Sequence, residues 1–110
     1  ISHLGRDERF QRAKPIEPWS GILDAKQSGP ISPQLSSRLS RVMGDFRLPH
    51  DENSLTLDIW CPDNSQKETP VLFWIHGGAF ISGAGSLEWY NGSLFAKNKN
   101  VIVICVNYRL

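Results

Sequence analysis

Two cysteines, Cys61 and Cys105, and one methionine are all the sulfur this 110-residue chain carries. That scarcity excludes a small fold stapled by disulfides. Two thiols and three scattered histidines also fall short of a metal site, so no metal is expected. Charge of one sign is equally lacking. Twelve basic and 11 acidic residues leave a net +1, which is no electrostatic footprint for nucleic acid. No apolar run exceeds the six residues Val101–Val106, against roughly 18 for a membrane span. Nine glycines and seven prolines follow no triplet period, which excludes a collagen-like chain. What is present is apolar mass. Leu, Ile, Val and Phe make up 30 of the 110 residues, above the roughly 20% that marks disordered chains. Length and make-up suit one domain. The chain starts at Ile1 and stops at Leu110 directly after a strand-like run, so both ends are expected to lie inside a longer protein.

The first 50 residues differ from the rest. They hold eight basic and five acidic residues, against four and six in residues 51–110. All seven prolines lie between Pro15 and Pro70. Pro15, Pro18, Pro30 and Pro33 forbid long helices and interior strands, leaving at most a helical turn around Leu35–Val42. Residues 1–50 are therefore expected to form an irregular arm laid over another surface, with Phe10, Trp19, Ile22 and Phe46 as anchors that need burying. From Leu55 the pattern sharpens. Leu55, Leu57 and Ile59 alternate with Thr56, Asp58 and Trp60, which predicts a strand with the aliphatic face on a core. Val71–Ile75 and Val101–Val106 are unbroken apolar runs, which predict central strands buried on both faces. About 25 residues separate these runs, enough for a crossover and too many for a hairpin. Ser93–Lys99 suits a short helix capped by Asn91 or Ser93. Strand, crossover and strand make a parallel unit. The fold class is α/β: an irregular arm over 1–50, then the strands of a mostly parallel sheet over 51–110.

The stretch Ile75-His76-Gly77-Gly78-Ala79-Phe80 follows a predicted strand directly. In open parallel sheets, ligands gather beyond the carboxyl ends of the strands. Paired glycines allow a sharp turn and keep side chains away from an incoming group. Backbone N–H groups converging in such a turn stabilise an oxyanion. On the dipeptide alone, a tight turn without a ligand is the better reading. A phosphate cradle lacks its Gly-x-Gly-x-x-Gly or Lys-Ser/Thr pattern here.

The wider context decides between these. The run PVLFWIHGGAFISGAGSLEWYNGSLFAKNKNVIVICVNYRL from Pro70 onward resembles the type-B carboxylesterase/cholinesterase family, especially its bacterial esterases. Glu52–Trp60, Arg9-Phe10, Pro18–Gly21, Asp24-Ala25 and Asn107–Arg109 resemble further family segments, so the likeness covers residues 9–110. The resemblance implies the N-terminal part of an α/β-hydrolase fold and a serine carboxylesterase that cleaves small-molecule esters through an acyl-enzyme, without a cofactor. It implies that Gly78 and Ala79, second and third after His76, donate backbone N–H groups to the oxyanion. Gly77 gives that loop flexibility and space, and only the backbone matters at Ala79. His76 is implied to be a structural residue behind the loop, and Phe80 to line the acyl pocket or the loop's underside. Arg9 and Glu52 match a structural ion pair, and Arg109 a buried arginine whose acidic partner lies further along.

The departures from the family pattern are informative. The Gly-x-Ser-x-Gly elbow, the triad acid and the catalytic histidine all follow the oxyanion loop in the family's order, and none is found here. Gly83–Ser86 and Gly92-Ser93 have neither the spacing nor the preceding strand. The chain by itself is expected to be inactive, supplying the oxyanion hole and part of a pocket wall and needing a C-terminal part of the same fold. The alternatives are a non-enzymatic fragment and a piece of a cholinesterase-like adhesion domain. Ser32 and Ser54 stand where the family carries an early cysteine pair, which suits a reducing, cytoplasmic setting.

Overall fold

A computed structural model describes residues 9–38, 40–43 and 47–110. Three strands form one sheet: β1 (Leu57–Trp60), β2 (Val71–Ile75) and β3 (Ile102–Val106). The spatial order is β1-β3-β2, so the last strand in sequence is the middle one. β2 and β3 run parallel, with Val71 opposite Ile102 and Ile75 opposite Val106. β1 runs antiparallel to β3, with Leu57 opposite Val106. The sheet is thus mixed, and the parallel expectation holds for β2 and β3 alone.

The crossover between β2 and β3 contains a single 3-10 turn, Glu88–Tyr90, and the helix α2, Ser93–Lys99. Asn91 catches the start of α2, its Oδ1 accepting the Ser93 N–H at 3.0 Å. The N-cap is Gly92, not Asn91 or Ser93 as the sequence suggested, and glycine fits there because a Cβ would lie 2.5 Å from the Val103 side chain and 3.0 Å from Trp60. The helix ends at Asn100, whose φ of 50° is left-handed, a conformation asparagine tolerates better than most residues. Ala96 of α2 packs on Val103 and Cys105 of β3, with Trp60, Tyr90 and Val101 around them. A second cluster, Ile31, Ala84 and Leu87, also touches Tyr90 and fastens the arm.

Only one face of the sheet is covered. Residues paired across strands share a face, so Leu57, Ile59, Val71, Phe73 and Ile75 align with Ile102, Ile104 and Val106. Every one of those β1 and β2 side chains is exposed. Within these residues, the cover expected on both faces of the strands is present on one face only. In β1 the aliphatic residues lie on the bare face, because α2 and Gly92 approach the Trp60 side. β2 is an exposed edge strand, with all five residues at least 41% accessible. β3 comes nearer to a central strand, with Val103 and Cys105 buried and the alternate residues half-buried.

Among its described residues the arm carries one short helix, α1 (Ser40–Met43), inside the region expected to turn. Its attachment is local: Ile31 bridges His50, with Ile31 N–H donating to Pro49 O at 2.9 Å and Asp51 N–H donating to Ile31 O at 3.0 Å. The side chains read from sequence as anchors are not covered within this segment. Phe10, Trp19 and Ile22 are exposed, because no described residue covers them. Phe46 lies outside the described residues.

Candidate active site

β2 delivers the chain into the turn Gly77–Ser82. Three consecutive residues there have positive φ: Gly78 at 128°, Ala79 at 54° and Phe80 at 60°. For residues with a Cβ this costs roughly 1–2 kcal/mol each, so the surroundings must hold the turn in place. Gly78 admits no side chain, since a Cβ would lie 1.6 Å from Ser82 O. At Gly77 the same construction meets open space among the described residues, so packing does not demand glycine there. The Gly78 carbonyl closes the turn, accepting from Ile81 N–H at 3.1 Å and Ser82 N–H at 3.2 Å. The N–H groups of Gly78 and Ala79 have no acceptor among the described residues. Both residues are exposed, so these donors are open to water or to a ligand, and adjacent accessible N–H groups on one turn can converge on an anion. A mostly apolar cleft of about 720 Å³ borders them, lined by Leu35, Arg38, Leu87 and Trp89 besides the loop itself.

His76 lies beneath this turn, 3% exposed. Its ring stacks on Tyr108 at 4.2 Å between centroids and 10° between planes. The Tyr108 hydroxyl donates to His76 O at 2.6 Å, tying β2's exit to β3's. His76 Nδ1 lies 2.8 Å from Gly77 O. A carbonyl only accepts, so Nδ1 carries the proton in this contact. Nε2 is buried and meets no partner among the described residues. Phe80 stands edge-on to Tyr108 at 6.1 Å and is otherwise exposed.

The next turn is built differently. Asn107, 4% exposed, accepts from Gly85 N–H at 2.7 Å through Oδ1. Its Nδ2 donates to Thr56 Oγ1 at 2.8 Å and to Ser86 Oγ at 2.7 Å. Asn107 N–H donates to Thr56 O at 2.9 Å. Gly85 fits because a Cβ would lie 2.4 Å from Val106 O.

The other sequence-predicted residues lie apart from the turn. Arg9 Nε is 3.1 Å from Glu52 Oε1, with side chains 57% and 32% exposed. Water screens such a pair, which leaves it worth about 0–1 kcal/mol. Arg109 donates to Gln11 O through Nη1, while Nη2 is buried with no partner among the described residues. Cys61 is exposed and Cys105 buried. Burial, then the Asp58 carboxylate, push the Cys105 thiol up, which keeps it protonated and inert. Among the described residues no three His, Cys, Asp or Glu side chains gather around a metal-sized gap. None of their helices is long and apolar enough to cross a membrane.

A model of the Carboxylesterase family matches residues 5–110. The chain belongs to the carboxylesterase family. It is 45% identical over 103 residues to the para-nitrobenzyl esterase of Bacillus subtilis, covering 93% of this chain and 21% of that protein. It is 39% identical over 106 residues to the phenmedipham hydrolase of Pseudarthrobacter oxydans, covering 94% of this chain and 22% of that one. A solved PNB esterase superposes with a TM-score of 0.75 at 41% identity, over 88% of this chain and 19% of that chain. The carboxylesterase chain therefore spans about a fifth of the length of these relatives. Its fold is part of an α/β-hydrolase. Sequence reading singled out the turn and missed Gln34 and the multiple bonds of Asn107. No periodicity marks either residue, because each works through partners distant in sequence.

Proposed function

We propose that this carboxylesterase segment supplies the oxyanion hole of a serine esterase, with the Gly78 and Ala79 N–H groups as donors and Gly77 as the loop's flexible entry. The carrying observation is the pair of unpaired N–H groups on a positive-φ turn beside an apolar cleft. The substrate is a small carboxylic ester whose apolar part lies in that cleft. When a serine elsewhere in the full-length protein attacks the carbonyl carbon, the C=O π electrons move onto oxygen. Two fixed donors meet that charge as it develops, and the bound ester gains far less from them. The turn's strain is spent in folding, so no reorganisation is required at the moment of reaction. The nucleophile, acid and base of the reaction lie outside these 110 residues.

The test replaces the Gly78 amide with a backbone ester in the full-length esterase by semisynthesis, which deletes one N–H and keeps the shape. Turnover of p-nitrophenyl esters is expected to fall about 100- to 1,000-fold with KM little changed. Unchanged turnover with weakened binding would show a pocket wall instead.

A further inference from the structure

We infer that Gln34 is a positioning residue for this reaction: held by the arm, its carboxamide grips Gly83 and thereby aims the Gly78 N–H. The inference rests on the oxyanion reading of Gly78 and Ala79 and adds the element that sets their direction.

The Gln34 carboxamide grips the Gly83 backbone at two points. Oε1 accepts the Gly83 N–H at 2.7 Å, and Nε2 donates to Gly83 O at 2.9 Å. Nε2 also donates to Ser32 O at 3.1 Å. A backbone N–H only donates and a carbonyl only accepts, so these partners fix which way the amide points. The grip spans 49 positions in sequence. Its arm end is firm: Ile31 is 0% exposed and bonded to Pro49 and Asp51.

Gly83 passes the constraint on by contact. Its φ is 112°, and a Cβ there would lie 2.5 Å from Gly77 O and 2.6 Å from His76 Nδ1. The Gly83 backbone therefore abuts the Gly77 carbonyl directly. That carbonyl and the Gly78 N–H belong to one planar peptide unit. A shift of Gly83 tilts the plane and swings the N–H at its far edge. The Gly77 carbonyl is thus held from two sides, by the His76 ring and by Gly83. The three positive φ values that follow give the turn reason to relax once one side is released. Gln34 is the only side chain among the described residues seen to bond the Gly83 backbone.

The experiment uses the full-length esterase with Gln34→Met, which keeps length and removes all three bonds, and Gln34→Glu, which keeps the acceptor for Gly83 N–H and loses both donors. Active sites are counted by the acyl-enzyme burst with p-nitrophenyl acetate. Then kcat per site, KM and the affinity of a trifluoromethyl ketone, which forms a tetrahedral oxyanion adduct, are measured. Gln34→Met is expected to lower kcat about 10- to 100-fold, as small misplacements of reacting groups do. Ketone affinity should fall in parallel, KM should move less than about twofold, and Gln34→Glu, which sets a carboxylate oxygen against the Gly83 and Ser32 carbonyls, should lose at least as much. On the Gly78 backbone-ester protein, Gln34→Met should cost less than about twofold more, because the donor it aims is gone. If both variants keep kcat per site and ketone affinity while the Gly78 ester remains damaging, the clamp is overturned and the oxyanion reading stands. An equal loss from Gln34→Met with and without the Gly78 amide also overturns the clamp. A harmless Gly78 ester overturns both. Should Gln34→Met fail to fold, Gln34→Glu decides by the same measurements, and full kcat in that variant overturns the clamp.

Discussion

Two turns follow one another between β2 and α2, and they treat their backbone hydrogens in opposite ways. Around Gly85, the N–H, the neighbouring Ser86 hydroxyl and Thr56 all converge on the Asn107 carboxamide. Around Gly78, strain accumulates over three residues, and the N–H groups of Gly77, Gly78, Ala79 and Phe80 meet no acceptor among the described residues. Both turns need glycine for the same steric reason, a backbone oxygen too near for a Cβ. The glycine therefore does not tell the two apart. The destination of the N–H does. A paired turn is a joint, and an unpaired one stands ready for something the chain does not itself provide.

The Gly78 backbone ester draws this line most sharply. It should cost about 3–4 kcal/mol of transition-state stabilisation, yet less than about 1 kcal/mol of folding stability, because the deleted hydrogen has no partner in the folded chain. A large drop in the melting temperature of the full-length enzyme would break the comparison. Asn107→Ala is the mirror experiment. It leaves the Gly85 N–H and two hydroxyls without their buried partner and should cost about 2–4 kcal/mol in denaturant unfolding, with turnover per folded molecule little changed. Ala79→Gly is smaller. It removes a Cβ from a left-handed position while loosening the unfolded chain, so stability should change by no more than about 1 kcal/mol. Turnover should hold, since the donor is backbone. A large loss of turnover would mean that the methyl group, and not the N–H, matters. Ser54→Ala is the smallest. The buried Ser54 hydroxyl has no partner among the described residues, so its removal should leave stability unchanged or raise it by about 1 kcal/mol. A loss of stability would reveal a bond to another part of the full-length protein.

The legible and illegible parts of this molecule divide along similar lines. Helix α2 occupies the stretch Ser93–Lys99 read from its pattern, and β2 and β3 fall within their apolar runs, because short-range preference and side-chain periodicity decide such elements. Burial was less legible. Val71–Ile75 and Val101–Val106 look alike in sequence, yet one forms an edge and the other the middle of the sheet. Composition records what a strand tolerates on its faces and says nothing of which neighbour is present. In the arm, Phe10, Trp19 and Ile22 look like anchors, while the burial that fastens the segment comes from Ile31. At the site, the His76–Phe80 stretch could be found because glycines flag unusual backbone. Gln34 could not, since a glutamine 49 positions from its partner leaves no local trace.

The strand order also sets a schedule. β1 and β2 leave the ribosome well before β3, yet in the finished sheet they do not touch each other; β3 lies between them. Neither early strand can find its pairing partner until residues 102–106 have been made. During synthesis both strands, rich in aliphatic groups, therefore emerge before the segment that joins them. Within this part of the sheet the insertion of β3 closes both ladders. Truncations of the Ile104 side chain, which meets Ile59 on one side and Phe73 on the other, should then slow folding more than they speed unfolding, the signature of a residue inside the folding nucleus.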